Sequence, residues 1–163
     1  MDMISTIKGT LFEQLYPAGW DLERLKYCVT READTICDRQ DFWHKDFHPE
    51  PVEDLQSMAV QFGHEIAMQI KKAKEEEREL VLILPVGPME MYRTVYFLKE
   101  WNISCNHVHG FNMDEWADAE GNTLPPTNPV TFQYAMEKSF YEPLGELTVP
   151  IEQRHFATRE ELP

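Results

Sequence analysis

ELVLILPVGPMEMY, residues 79–92, decides the fold. Five consecutive apolar residues, Leu80 to Leu84, are bounded by charge on one side and by Pro85 on the other. Such a short unbroken run predicts a β-strand covered on both faces, the pattern of parallel sheets. Gly87-Pro88 then turns the chain, and Pro88 is well placed for the first turn of a helix from Met89 to about Trp101. Upstream, Leu55, Met58, Ala59, Phe62, Ile66, Ile70 and Ala73 recur at steps of three and four. They predict an amphipathic helix from Glu53 to about Arg78 with that stripe inward. Its closing run, KKAKEEERE, is a solvated helix end.

Downstream the pattern repeats. Asn106 to Phe111 alternates as a second strand, and Asn128-Pro129 supplies an N-cap and N1 pair for a helix reaching Tyr141. Helix, strand, helix, strand, helix in that order predicts an α/β fold, a Rossmann-like parallel sheet with flanking helices. The loops at Gly87 and Asp114 then lie on one edge of the sheet, where ligands of such folds bind. Residues 1–50 are less regular and rich in aromatics (Phe12, Tyr16, Trp20, Phe42, Trp43, Phe47). They form an N-terminal extension expected to pack on a main domain of residues 51–163. A short helix is expected after Asp21, with Leu22, Leu25 and Val29 on one face.

Composition narrows the classes. The chain has 163 residues, 42% hydrophobic and 12% aromatic, which suits a folded domain with a real core. A formal net charge of -14 opposes binding to a phosphate backbone, so no nucleic-acid partner is expected. Cys28, Cys37 and Cys105 are scattered and read as reduced thiols of a cytoplasmic protein. No apolar run is long enough to cross a membrane and MDMISTIKGTL lacks a signal-peptide pattern, so no membrane partner is expected.

The second strand runs into GFNMDEW, with two carboxylates, Asp114 and Glu115, at its end. Moving a proton beside a carbonyl needs a base of tuned pKa, and two adjacent acids at a partly enclosed strand end can raise one of them. The residues alone leave open that Asp114 only caps the next turn and that Glu115 points to water. His44 and His48, with Asp46 between them, and His107 and His109, on one face of the second strand, could each hold a metal given a third ligand. Surface or packed histidines are the favoured reading, and neither metal nor cofactor is expected. Cys105 near His107 reads as a buried thiol.

GFNMDEW, preceded by LPVGPMEMY and followed by NPVTFQYAMEKSFY, resembles the glucosamine-6-phosphate deaminase/isomerase family. Its members carry Leu-Pro-Thr-Gly-x-Thr-Pro after the first strand and Phe-Asn-Met-Asp-Glu-Tyr after the second. The resemblance spans about Glu53 to Arg154. The related 6-phosphogluconolactonases have Asp-Glu-Arg at the same strand end, so the deaminase branch fits better. The resemblance implies that Asp114 is a general base shuttling a proton between C2 and C1 of an opened amino-sugar phosphate. It makes Glu115 a supporting acid that biases the charge of its neighbour. Pro85, Gly87, Pro88 and Tyr92 fall on the phosphate loop, and Asn112 on the substrate side of the second motif.

Two departures accompany it. The loop at Val86-Gly87-Pro88 is about two residues shorter, and Pro88 has no N–H for an anion. The family's Gly-x-Gly-x-Asp-Gly-His motif, with its ring-opening histidine, has no counterpart up to Pro163. The chain is thus expected to be the N-terminal portion of such a fold, incomplete relative to the family and inactive by itself. The alternatives are a non-catalytic binding or assembly module and a 6-phosphogluconolactonase-like hydrolase. A half-sheet leaves apolar surface to hide, so a homo-oligomer is expected.

Overall fold

A computed structural model of the chain describes residues 21–32, 35 and 38–158. Phe12, Tyr16, Trp20 and Cys37 lie outside the described residues, as do the side chains of Leu22, Leu25, Cys28 and Val29. The chain divides into two compact units, Met1–Pro51 and Val52–Pro163.

In the first unit, helix α1 spans Leu22–Val29 and is capped by Asp21, whose carboxylate accepts the N–H groups of Glu23 and Arg24 at 3.1 and 3.0 Å. That satisfies two of the donors a helix start leaves free. Farther on, the Arg39 guanidinium donates to the carbonyls of Phe47 and His44, closing a turn in which Trp43 meets Phe47 edge to face.

The second unit opens with helix α2, Leu55–Glu75, capped by the Asp54 carboxylate on the Ser57 N–H. Its buried positions are Ala59, Gly63, Ala67, Ile70 and Ala73. The expected stripe is therefore only partly right, since Leu55 and Phe62 are exposed. Close approach selects the small residues instead. A Cβ on Gly63 would lie 2.9 Å from the Thr94 nitrogen, and the Thr94 hydroxyl donates to the Gly63 carbonyl at 2.5 Å. A larger side chain there would push the helix off its neighbour.

Strand β1, Leu80–Leu84, pairs in parallel with β2, Val108–Asn112, from Leu80 opposite Val108 to Leu84 opposite Asn112. Between them a 3-10 turn, Met89–Arg93, leads into helix α3, Thr94–Glu100. A short third strand, β3, Arg154–His155, pairs in parallel with Gly110 and Phe111. The sheet order is β1-β2-β3. This is the α/β architecture of a parallel sheet with flanking helices; β3 has no sequence signal because two residues are too few for a period.

Among the described residues the sheet is covered on one face rather than two. Leu84, Val108 and Gly110 pack toward Ile70, Leu98, Phe140 and Tyr141, while Val81 and Ile83 are 61% and 72% exposed and Phe111 is 41% exposed. The apolar run thus specified the strand but not the second layer, because covering it takes polypeptide from elsewhere.

The last helix begins three residues later than its Asn-Pro signal. Asn128 spends its side-chain oxygen on the Val130 N–H, and the Thr131 hydroxyl caps Tyr134 at 3.1 Å, so α4 is Phe132–Met136. A π turn, Glu137–Tyr141, connects it to α5, Glu142–Leu144. Pro143, with no N–H to donate, sits where the regular ladder is interrupted. Arg154 ties β3 to this region: it pairs with Glu137 at 3.0 Å, donates to the Val149 carbonyl, and lies 4.5 Å over the Tyr141 ring. Among the described residues no helix is long and apolar enough to cross a membrane.

Candidate functional site

Because Leu84 is opposite Asn112, the two strands end together and their following loops emerge side by side. The loops at Gly87 and Asp114 share an edge, as the strand order requires. The Met113 N–H reaches the Leu84 carbonyl at 3.4 Å, continuing the ladder one residue past β2.

Each expected site residue has a definite place there. Asn112 is buried; its amide nitrogen donates weakly to the Leu84 carbonyl at 3.4 Å, and its Oδ1 has no hydrogen-bond partner among the described residues. A buried acceptor left unsatisfied is costly, so this oxygen is available to a donor. Gly87 has φ 111°, a conformation that favours glycine, and both it and Pro88 are exposed, joined by a cis peptide bond. Tyr92 is buried, and its hydroxyl donates to the Pro85 carbonyl at 2.7 Å. Burial raises its pKa well above the usual phenol value, with a smaller contribution from Tyr141. Tyr92 therefore holds the loop from beneath, its one donor already used.

The two adjacent acids part company. Asp114 is exposed and makes no hydrogen bond or ion pair among the described residues. The Glu115 carboxylate is half-buried and accepts three backbone N–H groups: Trp116 at 2.8 Å, Phe132 at 2.9 Å and Gln133 at 2.8 Å. Its carboxylate is turned toward the chain's own backbone. The intervening loop is ordered from within by an Ala117–Thr123 bridge and by Asp118, whose carboxylate accepts from Glu120 and Asn122. Those bonds, with the Asn122 backbone first, hold the Asp118 pKa below its usual value. Trp116 and Phe132 meet at 5.6 Å between ring centres.

The histidine pairs do not converge. His107 precedes the first residue of β2, escapes the pleat, and its Nε2 is 2.9 Å from the Ile70 carbonyl of α2. His109 turns instead toward Gln153 and stacks near His155. The expectation that His107 and His109 share a face is thus corrected. His44 engages its own neighbour, Asp46. No group of three or more His, Cys, Asp or Glu among the described residues is arranged to hold a metal. Sequence reasoning missed Thr131, whose position three residues before Tyr134 is an ordinary capping signal, and Arg154, which carries no local signal at all.

No family model matches the chain. Over 79 residues it is 40% identical to the glucosamine-6-phosphate deaminase of Fusobacterium nucleatum subsp. nucleatum. The chain is similar to a sugar-phosphate deaminase. The match covers 44% of the chain, which spans 27% of the length of that relative.

Proposed function

We propose that this chain supplies the proton-transfer edge of an isomerising deaminase of amino-sugar phosphates. One observation carries the reading: Asp114 presents an exposed carboxylate, unpaired among the described residues, where β1 and β2 end together. The similarity to a glucosamine-6-phosphate deaminase supports the substrate class. Asp114 removes the C2 proton of the opened amino sugar, the C–H electron pair forms the C1–C2 double bond of an enolamine, and the carbonyl pair moves to O1, which takes a proton from the C2 ammonium. The proton is returned at C1, and water then releases ammonia from the C2 iminium. Gly87 and Pro88 form the facing wall, Tyr92 fixes that wall, and the buried Asn112 oxygen accepts from a sugar hydroxyl or amine. A base in this position is worth about 10²–10⁴ in rate.

The test is a titration of the chain with glucosamine 6-phosphate, followed by amide resonances, with glucosamine and inorganic phosphate as separate probes. Shifts concentrated at residues 84–88 and 112–116 are expected. Shifts absent there, or equal with all three probes, overturn the reading. In any preparation that releases ammonia, Asp114→Asn should lower kcat about a hundredfold or more while KM changes little.

A second reading, an assembly module, is favoured by the open sheet face at Val81, Ile83 and Phe111. Apolar surface of that kind is normally covered, and self-association of the chain would cover it.

A further inference from the structure

We infer that Glu115 is a positioning residue, a clasp that closes the loop after β2 and fixes how Asp114 is presented. Its carboxylate accepts the N–H of Trp116, at the start of the loop, and those of Phe132 and Gln133, seventeen and eighteen residues along the chain. A compact loop with its ends tied together behaves as one unit. Both oxygens are committed, Oε1 to Trp116 and Phe132, Oε2 to Gln133. Bonds from N–H groups to an ionised oxygen are about twice as strong as neutral ones. The two distant donors are the first two residues of α4, whose N–H groups have no partner within the helix.

The consequence for its neighbour is geometric. Glu115 is pinned at its side chain by α4, and the Met113 N–H makes a long contact of 3.4 Å with the Leu84 carbonyl. Asp114 lies between the two, so its backbone is kept at the sheet edge while its carboxylate makes no bond among the described residues. A spare acid beside a base would only shift its charge. Glu115 sets the base's position, and does so through bonds that a lone carboxylate directed at substrate could not make. The effect on Asp114 rests on the function proposed above, whereas the closure of the loop does not.

Amide hydrogen exchange and the Trp116 indole resonance, measured in the parent, Glu115→Gln and Asp114→Asn, test both parts. Glutamine keeps one acceptor oxygen and turns an N–H₂ toward a donor. Exchange at Phe132 or Gln133 should therefore rise about ten- to a hundredfold, with the Trp116 resonance displaced and the urea midpoint of the whole chain little changed. Asp114→Asn should leave all three at parent values. The clasp is overturned if Glu115→Gln exchanges at both positions like the parent. It is equally overturned if, in the unmodified protein, both amides exchange as fast as the exposed Ala119, a measurement that needs no variant to fold. With glucosamine 6-phosphate as the probe, Glu115→Gln should weaken the shifts at 112–116 in step with the loss of protection. Protection lost with no sugar-phosphate shifts even in the parent would leave the clasp standing and remove the deaminase reading.

Discussion

The hydroxyl of Tyr92 and the carbonyl of Pro85 are joined at 2.7 Å across the turn that holds Gly87. The tyrosine is buried and the loop it holds is exposed, so one hydrogen bond links the core to the site. Tyr92→Phe keeps the ring against Phe140 and removes only that bond. A loss of about 1 kcal/mol in urea stability is expected, together with faster amide exchange at Gly87. Unchanged exchange there would mean that the loop is held by its backbone alone.

Tyr141 poses the opposite case. Its hydroxyl is buried with no hydrogen-bond partner among the described residues, and a Cβ on Gly110 would meet it at 2.5 Å. Tyr141→Phe removes a polar atom that gains nothing from burial, so stability should stay within about 0.5 kcal/mol or improve. Gly110→Ala should cost about 1–3 kcal/mol by overpacking. Combined with Tyr141→Phe it should cost less, because the nearest remaining contact is Leu84 at 3.3 Å. A double-mutant cycle with strictly additive effects would contradict this account.

Burial pushes the Cys105 thiol up to about 12, only partly offset by Lys74. The unfolded chain ionises this thiol first, near 9.0, while the folded chain keeps it neutral. Its contribution is thus complete below pH 9 and is lost as pH rises toward 12, at up to about 1.4 kcal/mol per pH unit. The raised hydroxyls of Tyr92 and Tyr141 act in the same direction. Alkaline urea titrations should show this slope, and Cys105→Ala should reduce it by about one proton. The same burial should keep Cys105 unlabelled by thiol reagents at pH 8, as peptide mass mapping would show.

Val81 and Ile83 sit on the uncovered face, where they contribute no packing to the described core. Val81→Glu combined with Ile83→Lys should change stability by less than about 1 kcal/mol and lower any self-association of the chain. Light scattering across a dilution series measures it. A parent that is already a monodisperse monomer would remove the assembly reading.

Legibility in the sequence followed the range of the interactions. Leu80–Leu84 announced β1 because a strand's apolar run is contiguous, and Asp21 announced α1 because a cap acts within three residues. The heptad-like stripe of α2 gave the helix but misassigned its inner face. What decides that face is the approach of Thr94, 31 residues away, to Gly63. Likewise Asn128-Pro129 looked like a helix start, yet Asn128 was consumed by its own turn and Thr131 took the capping role.

By itself, then, the sequence determined β1, β2, the helices α1 and α2 and the carboxylates waiting at the end of β2, because each depends on residues a few positions apart. Only tertiary structure decided which partners those carboxylates have. In local pattern Asp114 and Glu115 are alike, two neighbouring acids after the same strand. Folding brings the N–H groups of Phe132 and Gln133 against one of them and leaves the other without a partner among the described residues. The same holds for the sheet, whose apolar run is covered only where α2, α3 and the Phe140–Tyr141 region reach it. A side chain's partners across such distances are set by how elements pack, which no local period records.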